Sequence, residues 1–590
     1  MVNLHQAGAA EPPMRRGGFV HSFAPGLATL FSYRARWLPK DLVAGLVLTA
    51  LLVPQGMAYA ELAGLPAITG LYTSILCLVG YALFGPSRIL VLGPDSSLGP
   101  MIAATILPLV VANGDPQRAI ALASVLALMT GTITVLAGVG RLGFVADLIS
   151  KPTMIGYMNG LALTILVGQL PKLFGFSAEG EGFVGEVVGF VHGVAIGETV
   201  PAALAIGAGG LILIVTFQRV LPKVPAVLVV VVLSIVAVGL FDLGERGVAL
   251  VGVLPQGFPP LTIPDVELSD LALLLAGALG IALVSLADTI STASAFAART
   301  GQVVDGSKEM IGIGAANIAA GLFQGFPVST SGSRTAVAEQ SGAKSQVTGL
   351  VGAIAITLIL LLAPGLLRNL PQPTLAAVVI AASISLADIP GTLRLYRVRR
   401  TEFSLSVAAF VGVVVLGVLP GILVAVALSI GNVFRRAWWP YQTVLGRVPG
   451  ISGFHDVRSY PNAERLRGCV IFRFDGPVFF ANARTFREQI QELARSEPSP
   501  KWIVVAAEPI TDVDTTAADM LHDLDLDLNA NGVSLVFAEM KDPVRHKIDR
   551  YGLTRTIDPS HFFPTLEVAV AAFLKETGAE WGQGAAKETD

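Results

Sequence analysis

From Asp41 to about Arg436 the chain is a run of apolar stretches joined by short polar or basic connections. Stretches 41–60, 119–139, 153–171, 202–217, 224–241, 271–297, 346–363 and 402–416 approach or reach the roughly 20 residues that a helix needs to cross a bilayer core. Others, at 67–84, 89–111, 326–343 and 418–434, are short or interrupted by Gly and Pro. Together they predict about 14 spans, with about 12 as the alternative, because broken helices are what hydropathy misjudges. After Trp438-Trp439-Pro440 the pattern changes. Residues 469–474, 502–507 and 533–538 read as strands. Residues 482–495, 515–530 and 564–576 read as amphipathic helices. The expected fold class is therefore a polytopic α-helical membrane domain at 41–436 followed by a small cytosolic α/β domain at 437–576. Residues 1–40 form a mixed N-terminal segment, and 577–590 a polar tail expected to be disordered.

Loop charge orients the spans. With the N-terminus inside, the cytoplasmic loops hold Arg88, Arg141, Lys151, Arg219, Lys223, Arg299, Lys308, Lys344, Arg394, Arg397, Arg399, Arg400, Arg435 and Arg436. The opposite loops hold only Arg118, Lys172, Arg246 and Arg368, and the 172–200 loop carries Glu179, Glu181, Glu186 and Glu198. This positive-inside asymmetry fits an inner (plasma) membrane protein with both termini in the cytoplasm.

Composition narrows the class. The 590 residues are 53% hydrophobic and only 14% charged, with a net charge of -3. That is too few charges for an ordinary soluble enzyme, and no basic field exists for nucleic acid. Cys77 and Cys469 lie far apart and form neither a disulfide framework nor a metal cluster. No Walker A sequence is present, so concentrative transport must draw on an ion gradient or on exchange. No cofactor is expected. The α/β domain has no recognisable nucleophile–base pair, so the chain reads as a non-enzyme.

Two of the interrupted spans repeat a pattern. Pro94-Asp95-Ser96-Ser97-Leu98-Gly99 and Pro327-Val328-Ser329-Thr330-Ser331-Gly332 both read P-x-S-[S/T]-x-G and lie about half the membrane region apart. Paired interruptions of this kind point to an inverted-repeat transporter whose half-helices meet at mid-membrane. The bland alternative is close packing of small residues. A half-helix starting inside the bilayer presents unpaired N–H groups and a positive dipole end, and two such ends hold an oxyanion.

Charges inside the apolar region each ask for a reason, since a carboxylate at a helix centre costs about 2.5–3.5 kcal/mol on insertion scales. Ser285, Asp288, Thr289 and Thr292 form one polar stripe facing a cavity, a cation or a neighbouring helix. Asp288 can pair with Na⁺ or carry H⁺. Arg334 adds attraction for an anion, or else snorkels or pairs with Glu339. Asp95 is expected to cap the first half-helix, with a ligand role as the alternative. None of the seven histidines falls inside a predicted span, which argues against a histidine proton relay.

DLVAGL at 41–46, PQGMAYAELAGLP at 54–66, GLYTS at 70–74, YALFGPSR at 81–88 and FPVSTSGSRT at 326–335 resemble the signatures of the sulfate permease (SulP) family, whose eukaryotic members are solute carrier family 26. The segment from about 440 resembles that family's STAS domain. The resemblance implies 14 segments in two inverted 7+7 repeats, a division into core and gate, and elevator-type alternating access, commonly in a homodimer. It places substrate between half-helices beginning near Pro94 and Pro327, with Gln55, Tyr59, Ser333 and Arg334 lining the site. By the same resemblance, Asp288 and Thr292 match the cation-contacting pair of sodium-coupled bicarbonate members, while proton-linked members often carry Glu at the first of these positions.

The chain departs from the pattern in three places. Asp95 stands where members often have an apolar or small residue. Thr330-Ser331-Gly332 replaces a Gly-Ala-Thr sequence of sodium-coupled members. Asp514-Thr515-Thr516-Ala517 stands where the related anti-sigma-factor antagonists have a phosphorylated Asp-Ser-Ser-Gly. Thr515 and Thr516 are accordingly regulatory candidates or plain N-caps.

The expected function is secondary active transport of a small oxyanion, sulfate foremost, with H⁺ as the coupling ion through Asp95 and Asp288. Na⁺-coupled bicarbonate or C4-dicarboxylate transport is the alternative, and a membrane sensor or scaffold the second class. A cytosolic partner of the STAS domain is an open expectation.

Overall fold

The computed structural model describes residues 24–110, 115–144, 149–178, 180, 182–221, 224–300, 304–579 and 581–582. Arg15, Arg16, Glu179, Glu181, Lys223 and the tail beyond Gly582 lie outside the described residues, as does the side chain of Arg299. The chain forms two compact units, one ending at Ser429 and the other starting at Ile430.

In the first unit the helices are α1 Pro25–Phe31, α2 Leu38–Leu62, α3 Ala67–Phe84, α4 Gly99–Ile106, α5 Pro116–Val139, α6 Lys151–Phe174, α7 Gly182–Ala195, α8 Pro201–Val220 and α9 Ala226–Phe241. They continue as α10 Leu271–Thr300, α11 Gly306–Leu322, α12 Gly332–Gln340, α13 Val347–Leu362, α14 Gln372–Leu386, α15 Ile389–Val398 and α16 Arg400–Leu416. The next helix, α17 Val418–Trp438, runs on into the second unit. Eight of the described helical stretches are long and apolar enough to cross a bilayer. Proline in the first turn starts α2, α4, α5, α6, α8 and α14, where its missing N–H costs nothing.

The helices sort into two packing groups. α2, α3, α4, α5, α10, α11, α12 and α13 pack on one another, and α6, α8, α9, α14 and α16 form the second group. The groups meet where α2 lies against α9 and α14. Glycine sets the closeness of the first group. A Cβ on Gly70 of α3 would lie 1.9 Å from the carbonyl oxygen of Gly56 on α2, so only glycine fits there.

Two helices lie outside the apolar stretches predicted from sequence. α11 is rich in Gly and Ala and largely buried inside protein, so it needs little apolar bulk toward lipid, whereas α14 opens a stretch, Gln372–Val398, that is itself long and apolar enough to cross a bilayer. The segment expected as the 172–200 loop contains α7, with Glu186 on it.

The second unit is a six-stranded sheet in the order β4-β3-β6-β7-β8-β9. Its strands are β3 Gln442–Arg447, β4 Phe454–Asp456, β6 Cys469–Phe474, β7 Trp502–Ala506, β8 Ser534–Ala538 and β9 Phe562–Phe563. β6 to β9 are parallel, while β3 runs antiparallel to β6 and β4. Strand alternation splits the side chains between two cores. Phe472, Phe474, Ile503, Val505, Leu535 and Phe537 pack under α18 Ala483–Ala494, α19 Thr515–Ala530 and α20 Asp542–Tyr551. Ile471, Val504 and Val536 pack on the opposite face under α21 Leu566–Thr577. β3, β4, β9 and α20 are additions to the elements predicted from sequence.

Order also extends past the predicted start of the tail. α21 ends at Thr577, β10 Trp581–Gly582 pairs antiparallel with β5 Arg465–Leu466, and the Trp581 ring stacks on Phe454 with centroids 6.1 Å apart.

Candidate functional site

Both repeated motifs interrupt the membrane unit as expected, and they do so side by side. β1 Leu92–Gly93 and β2 Ser329–Thr330 pair antiparallel, Leu92 opposite Thr330 and Gly93 opposite Ser329. Each strand leads into its own short helix, so α4 and α12 leave the pair in opposite directions. The helices begin at Gly99 and Gly332, five residues past the expected starts near Pro94 and Pro327. The two motifs are out of register at the strands: β1 precedes its motif and β2 lies within its own.

Extended backbone at this depth must find partners within the protein. Side chains of surrounding helices supply them. Thr73 Oγ1 accepts from Phe326 N at 3.1 Å, and Asn317 Oδ1 accepts from Val328 N at 2.9 Å. Ser285 Oγ donates to the Val328 carbonyl at 3.1 Å. Thr335 Oγ1 accepts from Val91 N at 3.1 Å, and Ser331 N donates to the Val91 carbonyl at 3.1 Å.

Arg334 sits in the first turn of α12, where Ser331 Oγ caps the helix by accepting from Arg334 N at 3.4 Å. The guanidinium is 1% exposed. It reaches across the strand pair rather than along its own helix toward Glu339. Nη1 donates to the Pro94 carbonyl at 2.6 Å, and Nη2 lies 3.8 Å from Asp95 Oδ2. Nε and Nη2 have no hydrogen-bond acceptor. A buried cation with unsatisfied donors is costly unless an acceptor arrives, and an anionic oxygen is the strongest acceptor available to a guanidinium.

Asp95 does not cap α4. Its Oδ1 accepts from Ser97 N at 2.9 Å and Ser97 Oγ at 2.7 Å, closing the turn before the helix, and Leu98 takes the N-cap position without a side-chain bond. The same Ser97 hydroxyl lies 3.4 Å from Asp288 Oδ2 on α10. The stripe on α10 serves two purposes. Ser285 and Thr289 are fully buried, and Thr289 Oγ1 donates to the Ser285 carbonyl at 2.6 Å. Asp288 and Thr292 face a cavity, with Thr292 close to Gly332.

That cavity, of about 1020 Å³, opens between the two packing groups. Of the residues expected at the site, Gln55, Tyr59, Asp95, Ser96, Asp288, Thr292, Thr330, Ser331, Gly332, Ser333 and Arg334 line it. Pro94, Ser97 and Ser329 do not. Pro94 is engaged through its carbonyl, Ser97 is buried between the two aspartates, and the Ser329 hydroxyl is buried without a partner. The second group completes the wall with Gln218 of α8, Ala226 and Val227 of α9, and Val378, Ala381, Ala382 and Ser385 of α14. The α14 residues stand at i, i+3, i+4 and i+7, a stripe of small side chains that was visible in the sequence. Gln340 and Ser341, at the end of α12, also line the cavity.

Residues 38–409 match the sulfate permease family, and residues 460–569 match the STAS domain. The chain belongs to the sulfate permease family. It is an integral, multi-pass membrane protein of that transporter family with a C-terminal STAS domain, and not an enzyme. A probable sulfate transporter of Mycobacterium tuberculosis is 41% identical over 565 residues, covering 96% of this chain and 100% of the relative. The chloroplastic sulfate transporter 4.1 of Arabidopsis thaliana is 30% identical, covering 95% and 84%. Among solved structures, the murine solute carrier 26 member A9 anion transporter in the inward-facing state superimposes with a TM-score of 0.86 at 24% identity, over 97% of this chain and 96% of that one. The transmembrane domain of the cyanobacterial bicarbonate transporter BicA gives 0.58 at 23%, over 68% and 99%. At these identities the two structures speak for the fold.

In the sulfate permease STAS domain the regulatory candidates Thr515 and Thr516 are exposed at the start of α19. Neither caps the helix. Asp514 does so, accepting from Ala517 N at 2.8 Å, while its other oxygen accepts from Phe480 N at 2.9 Å.

Proposed function

We propose that the protein is a secondary active transporter of a small oxyanion, sulfate foremost. The observation that carries this is Arg334, a buried guanidinium whose Nε and Nη2 lack acceptors on the wall of an open cavity. Relatives named as sulfate transporters support the choice of substrate, and a tetrahedral dianion suits a planar, forked cation.

Fourteen segments in two inverted 7+7 repeats are assigned as α2 to α6, α8 and α9, then α10 to α14, α16 and α17, with β1 and β2 belonging to the segments of α4 and α12. The α2-containing group is the core and the α6-containing group the gate. Sliding of core against gate carries the anion across by an elevator movement. With both termini in the cytoplasm, the mouth at Gln218, Gln340 and Ser385 faces inward. The working protein is a homodimer in the plasma membrane, and the STAS domain offers its exposed Thr515 and Thr516 to a cytosolic partner or kinase.

Proton coupling follows from charge. Asp95 and Asp288 share the Ser97 hydroxyl in a cavity that Arg334 alone lines as a cation among the described residues, so an ionised pair plus a dianion leaves the occupied site strongly negative in a medium that disfavours charge. A proton taken up by the Asp95–Ser97–Asp288 group relieves that excess and accompanies the anion.

Uptake of labelled sulfate, bicarbonate and fumarate into proteoliposomes, with pH and Na⁺ gradients imposed separately, tests the reading. Sulfate uptake driven by ΔpH is expected. Transport of an uncharged nucleobase with none of the three anions overturns the substrate class, and strict Na⁺ dependence overturns the coupling.

A further inference from the structure

A second cavity, of about 590 Å³, lies at the far end of the same helices. α2 lines the first cavity from Val47 to Tyr59 and reaches the second at Glu61. α14 reaches the second at Gln372 and the first from Val378 onward. Because α2 and α14 pack on each other, the cavities are stacked end to end along one seam. The residues of the seam that fall between them, including Ala60, Thr374 and Leu375, are buried. One cavity is open to the transport site while the other ends short of it.

Lys172, in the last turn of α6, extends into the second cavity. Its Nζ makes one long contact, 3.5 Å to the Glu61 carbonyl. Neither this ammonium nor the Glu61 carboxylate forms an ion pair among the described residues. The nearby Arg118 differs: its guanidinium is held by Asp270 at 2.8 Å and Glu267 at 3.7 Å. Lys172 therefore keeps donors in reserve. α3 and α14 each present a first turn without a side-chain cap to the same space, adding positive dipole ends, whereas the end of α5 is already capped by Asp115.

We propose that this cavity is an outer capture site for an oxyanion, with Lys172 as the binding group and Glu61 as a counter-charge that keeps the binding weak. The proposal rests on the transport reading for what happens next, but the site itself does not. An anion arriving from outside meets Lys172 first. The carboxylate in the same cavity limits its residence, so that it passes on when the α2 group moves against the α6 group. Lys172 and Glu61 also join those two groups at their outer ends, so the contact between them changes with the movement.

The test uses the full chain in oriented proteoliposomes. Lys172→Gln is expected to raise KM about tenfold for sulfate presented at the Lys172 side. KM from the opposite side should stay unchanged, and Lys172→Arg should restore the first value. Unchanged KM on both faces, or an equal rise on both, overturns the site. A second measurement is independent of flux: Gln117→Cys should react with a membrane-impermeant maleimide added outside, and sulfate should slow that reaction only when Lys172 is present. No labelling, or labelling indifferent to sulfate, also overturns it. If the protein carries no oxyanion in either direction, the transport reading fails while sulfate protection at residue 117 still decides the capture site.

Discussion

Asp95 and Asp288 approach the same hydroxyl: Ser97 Oγ lies 2.7 Å from Asp95 Oδ1 and 3.4 Å from Asp288 Oδ2. One carboxylate comes from the turn before α4 and the other from the middle of α10, so the hydroxyl ties an interrupted segment to a continuous helix. Asp95 also holds its second oxygen 3.8 Å from Arg334. The two aspartates are therefore not equivalent, since only Asp95 competes with a bound anion for the guanidinium.

Asp95→Asn should tighten anion binding, lowering KM about three- to tenfold, because Arg334 loses a competing charge. Asp288→Asn should instead flatten the dependence of sulfate uptake on an imposed pH gradient while leaving sulfate–sulfate exchange in place. Initial rates against external pH, measured for both variants, check the division of roles. Equal effects of the two substitutions would contradict it.

Arg334→Ala removes a buried charge that holds the Pro94 carbonyl and faces the cavity. Loss of about 2–5 kcal/mol of anion binding is expected, roughly 30- to several-thousand-fold in Kd. Arg334→Lys should recover only part, because an ammonium cannot reach the Pro94 carbonyl and the anion as a planar fork does. Sulfate binding by calorimetry on detergent-solubilised protein reads this directly, and thermal stability measured alongside separates binding from folding.

The half-helices were legible because Pro, Ser and Gly break an apolar run in two matching places. Their pairing was not. Nothing local in Leu92–Gly93 marks a strand, and the partner that makes it one is Ser329–Thr330, distant in sequence. The role of Asp95 was misread for a related reason: an acid followed by two serines resembles a helix cap, but the turn at Ser96 and Ser97 delays the helix until Gly99. Gln218 and Gln340 resemble ordinary polar residues at helix ends, and only the packing of α8 and α12 turns them toward a common cavity. α11 escaped the hydropathy pattern because small side chains that allow close packing also lower apparent hydrophobicity.

That packing makes its own prediction. Gly70→Ala should destabilise the membrane unit by at least about 1–3 kcal/mol, since its Cβ would meet the Gly56 carbonyl oxygen at 1.9 Å and backbone must move. Gly239→Ala on α9, where nothing lies within 4 Å of the new methyl, should be neutral or slightly stabilising. Thermal unfolding of both variants in the same detergent compares them, and similar midpoints would show that the α2–α3 contact yields more readily than its geometry implies.

The STAS domain offers a pH test outside the membrane. Partial burial pushes Asp456 upward, but bonds from Thr443 and Tyr441, the Arg458 amide and the Arg458 charge outweigh it and hold the carboxyl at about 2. Thr443 Oγ1 donates at 2.5 Å from the neighbouring strand β3, and Arg458 N donates at 2.8 Å. A carboxyl depressed in the folded state stabilises it above the unfolded value, near 3.9, and loses that contribution as pH falls toward about 2. Protection factors of the β3–β4 amides, referred to the unfolded-peptide rate at each pH, should therefore fall across that window, and Asp456→Asn should be less protected at neutral pH but lose the acid-induced change. An acid response that survives the substitution would assign it to another carboxylate.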